Sequence, residues 1–105
     1  MMSYQFHFDE RLGIAIPLLE KEWGKYTHEE QEQILYEWEA HRSDIPGRIK
    51  ELEKMIEKKQ EMLNNEENFV LSCQLNDQIS RLASTINDLN LWFRIQQDTH
   101  SKIHQ

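Results

Sequence analysis

Leu75, Ile79, Leu82, Ile86, Leu89 and Phe93 recur at alternating spacings of four and three, with mostly polar residues between them. An α-helix turns once in about 3.6 residues, so this spacing lines the six side chains along one face. It predicts an amphipathic helix over residues 68–97. Upstream, Ile45, Ile49, Leu52, Ile56 and Leu63 form a second line, with Met55 and Met62 beside it. The other side of that segment carries Lys50, Glu51, Glu53, Lys54, Glu57, Lys58 and Glu61, and opposite charges three apart suit a solvated helix face. A helix over residues 45–63 follows.

Between the two lines lies Asn-Asn-Glu-Glu-Asn, residues 64–68. Continued as one straight helix, the segment would rotate its apolar face by about 120° between the Ile56–Leu63 line and the Leu75–Ile86 line. The two halves would then face different partners. The asparagines suit helix caps and turns, so the pattern predicts an antiparallel helical hairpin with its turn at residues 64–68. One unbroken long helix is the alternative, since the stretch holds no glycine.

The N-terminal part also shows helical spacing, in Leu12, Ile16, Leu19, Trp23 and Tyr26. Pro17 interrupts it and predicts a kink or a fresh start near Ile16. Thr27 followed by Glu30 reads as a capping box opening the next helix, whose inner line is Ile34, Trp38 and His41. Ser43 and Asp44 before Ile45-Pro46 predict a break and a new N-cap. The expected fold class is therefore all-α: a small helical bundle built on the antiparallel hairpin, with two shorter N-terminal helices packed across it. It forms one domain over residues 1–105, with residues 1–8 and 98–105 loosely ordered.

Composition narrows the function classes. Hydrophobic residues make up 38% of the 105 positions and charged residues 30%, a globular balance. No apolar run is long enough to span a bilayer, and the start lacks a signal-peptide pattern, so a cytoplasmic location is expected. The net charge is −7, concentrated in residues 1–44, where 10 acidic side chains face 4 basic ones. Nucleic-acid binding needs a basic face to displace counterions, and an acidic chain is repelled by anionic membranes; neither partner is expected. The single cysteine, Cys73, follows the apolar run Phe69, Val70 and Leu71 and reads as a buried structural thiol.

Few residues suggest chemistry. His100 and His104 are four apart, as are His28 and Glu32, and Glu37 and His41. A di-iron bundle needs Glu-x-x-His on two helices, and the chain lacks that spacing. No phosphate-cradling glycine loop, Cys-x-x-Cys or nucleophile motif occurs. No catalytic, cofactor or metal residue is assigned, and no cofactor is expected.

Leu71, Leu91 and Trp92 lie off the main seam of the last helix and need cover, which makes them a candidate interaction surface. The reading is a non-enzymatic helical module for protein–protein interaction or self-association, its partner a foreign protein or a second copy. The alternative is a small-ligand or metal-binding bundle, with or without catalysis, around Glu37, His41 and the tryptophans.

Overall fold

The computed structural model describes residues 3–103, with side chains described through Ile95. Two antiparallel strands, β1 (Tyr4–Asp9) and β2 (Ile14–Leu19), open the fold. A 3-10 turn at Trp23–Lys25 leads into α1 (His28–Arg42), α2 (Ile45–Asn64) and α3 (Phe69–Ile103). The architecture is mixed, which corrects the all-α expectation. The N-terminal part of the expected bundle is a β-hairpin followed by one helix, in place of two short helices.

The physical reason lies in a competing period. Tyr4, Phe6 and Phe8 alternate with polar neighbours, and Ile14, Ile16 and Leu18 recur every second position, the strand repeat. Phe6 pairs with Pro17 and Phe8 with Ala15. A two-stranded ribbon has only edge strands, so the missing N–H of Pro17 can face outward, where in a helix it would break a bond. The turn between the strands is built on Asp9, whose carboxylate accepts from the Leu12 N–H at 2.9 Å and whose carbonyl accepts from Gly13 at 2.7 Å. Gly13 sits at φ 76°, a left-handed conformation that glycine adopts without a Cβ penalty.

Tyr26 closes the other end of the hairpin. Its hydroxyl donates to the Ser3 carbonyl at 2.6 Å and accepts from the Glu20 N–H at 3.0 Å. Thr27 then caps α1: its hydroxyl accepts from the Glu30 N–H at 3.1 Å, and the Glu30 carboxylate accepts from the Thr27 N–H at 2.9 Å. That backbone bond holds the Glu30 carboxyl below its ordinary value. Between α1 and α2 no side chain forms the expected new N-cap. Asp44 stays right-handed at φ −81° and ψ −14°, and its side chain caps nothing. The chain bends there and continues, with Pro46 accommodated in the first turn of α2.

α2 and α3 run side by side and turn at residues 65–68. Asn65 donates from Nδ2 to the Glu61 carbonyl at 3.0 Å, and Asn68 Oδ1 accepts from the Leu71 N–H at 3.1 Å, so each asparagine pairs one backbone group at its helix end. The core lies at the opposite end of this helical hairpin. Leu12, Ile14, Trp38, Ile45, Leu52 and Leu89 are buried together there, ringed by Phe6, Ile16, Ile49, Leu82, Ile86, Trp92 and Phe93. Tyr4, Tyr26 and Ile34 form a smaller cluster against Phe6 and Trp23. The molecule measures 58 × 25 × 19 Å, and α3, at about 1.5 Å per residue, accounts for most of the long axis. No described helix is long and apolar enough to cross a membrane.

Candidate interaction surface

The β-hairpin and α1 brace only one end of the α2–α3 pair. Arg11, in the β-turn, forms an ion pair with Asp88 of α3 at 2.8 Å. Arg48 of α2 donates to the Leu12 carbonyl at 3.0 Å. On α1, Arg42 donates to the Phe93 carbonyl at 2.7 Å and lays its guanidinium over the Phe93 ring at 4.0 Å. These ties hold the hairpin and α1 against the early half of α2 and the later half of α3. Towards the 65–68 turn the two helices cover only each other.

The apolar residues of that far end are exposed accordingly: Met62 is 57% accessible, Phe69 80%, Val70 62% and Leu71 46%. The backbone at these residues is helical, so this exposure belongs to a formed surface. Cys73, expected to be buried, is also exposed, because the α3 face that meets α2 runs through Leu75 and Ile79. Its neighbours Phe69 and Val70 made the run look like core, but no third element reaches that far along the arm.

Where the β-turn meets the helical pair, a cleft of about 560 Å³ opens over Leu52, Met55 and Leu82. Its rim holds four cations, Arg11, Arg48, Lys59 and Arg81, against the single acid Glu10. Ion pairs offset most of this charge: Arg11, Arg48 and Arg81 each have an acidic partner, and Lys59 has none among the described residues. The cations are held in place: Lys59 donates to Gln78 at 2.8 Å, Arg81 pairs with Asp77 at 2.9 Å and Arg48 with Glu51 at 3.2 Å. An apolar floor with an ammonium at its rim suits an apolar side chain beside a carboxylate. The sequence pattern had assigned Met55 to the edge of the inner line and missed this cleft, although Met55 lies about 60° from Leu52 around the helix.

The residues expected to matter fall in three places. Leu71 belongs to the exposed far end, and Leu91, 53% accessible, lies on the outer side of α3. Trp92 is half-buried against the core, its ring 5.7 Å from that of Trp38. Glu37 and His41 come together with Tyr4, Phe6 and Tyr36 around a second cleft of about 460 Å³. There the Tyr4 hydroxyl donates to Glu37 Oε2 at 2.6 Å, and His41 stacks on Phe6 with ring centres 4.8 Å apart. The bond to Glu37, with burial and the negative charges of Glu37 and Glu30, pushes the Tyr4 phenol up to about 12. Glu37 thus already has a partner.

His28 and Glu32 form an exposed pair at 2.9 Å. The side chains of His100 and His104 lie outside the described residues. No group of three or more His, Cys, Asp or Glu side chains able to hold a metal ion occurs among the described residues. No family model, curated protein or solved structure matches the chain.

Proposed function

We propose that this chain is a non-enzymatic module for protein–protein interaction or self-association, in which the β-hairpin and α1 anchor one end of the α2–α3 pair and the other end is the contact arm. One observation carries the reading: Met62, Phe69, Val70 and Leu71 are each exposed beside the 65–68 turn of the helical hairpin. Exposed apolar side chains cost solubility, and four of them around the end of one arm mark a contact surface. The adjoining cleft adds a modest bias towards an acidic partner, since the Lys59 ammonium bonds only to the neutral Gln78 while the three arginines are ion-paired.

A ligand-binding role around Glu37 and His41 has less support, because Tyr4 occupies the Glu37 carboxylate and Phe6 covers one face of the His41 ring.

Affinity capture from the native host tests the reading, comparing the parent chain with the Met62→Glu, Phe69→Glu variant. The parent is expected to retain a foreign protein or a second copy, and the variant to lose it. Equal retention by both, or no retained protein on the parent, would remove the contact arm.

A further inference from the structure

Phe69, Cys73, Asn76, Ser80, Ala83, Asn87 and Leu91 recur along α3 at spacings of four and three, and all seven are exposed. None is charged, in a chain with 30% charged residues. The charges of this part of α3 point elsewhere: Asp77 pairs with Arg81 at 2.9 Å, and Asp88 with Arg11 of the β-turn at 2.8 Å. The stripe is distinct from the face that packs on α2, which runs through Leu75, Ile79, Leu82, Ile86 and Leu89. It is also distinct from the cationic cleft, whose α3 wall is Gln78, Arg81, Leu82, Ser84 and Thr85. α3 therefore carries two seams, and only one has a partner within the chain.

We infer that the second seam pairs with the same seam of another copy, antiparallel, about a two-fold axis passing between Ser80 and Ala83. This rests on the module reading above and specifies its self-association form. The order of residues along the stripe is what selects a second copy. Around that midpoint Asn76 of one copy lies level with Asn87 of the other, and an asparagine pair in an otherwise uncharged seam fixes register through its amide hydrogen bonds. Ser80 lies level with Ala83, and small side chains there let the two helices approach closely. At the ends, Phe69 comes within about one helical turn of the partner copy's Leu91, so the large apolar residues of the stripe meet each other.

Charge complementarity fixes the direction. The turn just before Phe69 holds Glu66 and Glu67, and three residues beyond Leu91 stands Arg94, exposed and without an ion pair among the described residues. Antiparallel pairing brings Arg94 of each copy level with Phe69 of the other, the residue that directly follows the Glu66–Glu67 turn. Parallel pairing would put acid beside acid and cation beside cation. From Phe69 to Arg94 the contact runs about 38 Å, and one helix face of that length falls at or below the small end of specific interfaces. A reversible dimer that dissociates on dilution is the expected state.

Two measurements on the purified full chain test the pairing. Sedimentation equilibrium should show a concentration-dependent dimer, and Ala83→Arg, a change at an exposed position, should weaken it at least tenfold while leaving the urea midpoint of the monomer unchanged. With a nitroxide on Cys73, which lies on the seam itself, the spin–spin distance should be about 26 Å, from 17 residue levels at 1.5 Å each and an interaxial gap of about 10 Å. A parallel dimer would give roughly 10 to 15 Å on the same geometry. A monomer at all concentrations would overturn self-pairing yet leave a foreign partner for the arm. A dimer that survives Ala83→Arg, or one with the short distance, would overturn this seam while keeping self-association.

Discussion

Arg48 Nε donates to the Leu12 carbonyl at 3.0 Å, so a side chain of α2 is fastened to the turn of the β-hairpin. Its Nη2 reaches the Arg11 carbonyl at 3.3 Å, and Arg11 in turn pairs with Asp88 of α3. One turn thus grips both long helices. That grip sets where the covered end of the helical pair stops and the bare arm begins.

The grip leaves no room at Gly13. A methyl group there would collide with the Arg48 guanidinium, and φ 76° is unfavourable for any residue with a Cβ. Gly13→Ala is expected to cost about 1 to 2 kcal/mol from the left-handed backbone, with further loss from displacing Arg48. Urea denaturation reads it directly; a neutral substitution would show that the turn adopts another conformation in solution.

The core prediction concerns Leu89, fully buried among Trp38, Ile45 and Leu52. Leu89→Ala should cost about 2 to 5 kcal/mol through lost contacts and a residual cavity. Lys58→Ala, on the exposed side of α2, should change stability by less than about 0.5 kcal/mol. Leu82 is only half-buried beside the cationic cleft, and the corresponding alanine variant should fall between the two.

Tyr4 gives the fold a sensitivity to base. Its phenol is pushed up to about 12 in the folded chain from an ordinary value of 10.0. The folded state therefore holds a proton that the unfolded state releases, and the stabilisation is complete below about pH 10 and lost as pH rises towards 12. A denaturation midpoint measured across that window should fall more steeply for the parent than for Tyr4→Phe. Parallel curves would mean that Tyr4 does not donate to Glu37 in solution.

Removing the α1 cap is a smaller, local change. Thr27→Ala deletes the acceptor for the Glu30 N–H, and about 1 kcal/mol of stability should be lost. Thr27→Ser retains the hydroxyl and should recover most of it.

The helical parts of this fold were readable from spacing because amphipathic helices repeat their pattern over many turns. The Ile45–Leu63 and Leu75–Phe93 lines face each other in the structure, and the asparagines between them act at the helix ends. The β-hairpin was not readable by the same rule. Leu12, Ile16, Leu19, Trp23 and Tyr26 have helical spacing by coincidence, while Phe6, Ile14 and Ile16 form a strand pattern too short to compete on length. Pro17 argued for a helix boundary where it in fact marks an edge strand. The cationic cleft escaped for another reason: Arg11, Arg48, Lys59 and Arg81 lie up to 70 positions apart, and only the packing of the β-turn on the helical pair gathers them. Glu37 and His41 were placed on one helix from their spacing, but their partners Tyr4 and Phe6 come from a strand that the helical reading passed over.

Position-resolved photo-crosslinking in the native host tests most directly whether the bare end of the helical pair is a contact surface. A photo-activatable side chain is placed in turn at Met62, Phe69 or Leu71, and as a control at Lys50 or Glu57 on the exposed outer face of α2. A discrete covalent adduct, to a foreign protein or a second copy, is expected from the first three positions and none from the control positions. No adduct at Met62, Phe69 and Leu71, or adducts of equal yield at Lys50 and Glu57, would contradict it.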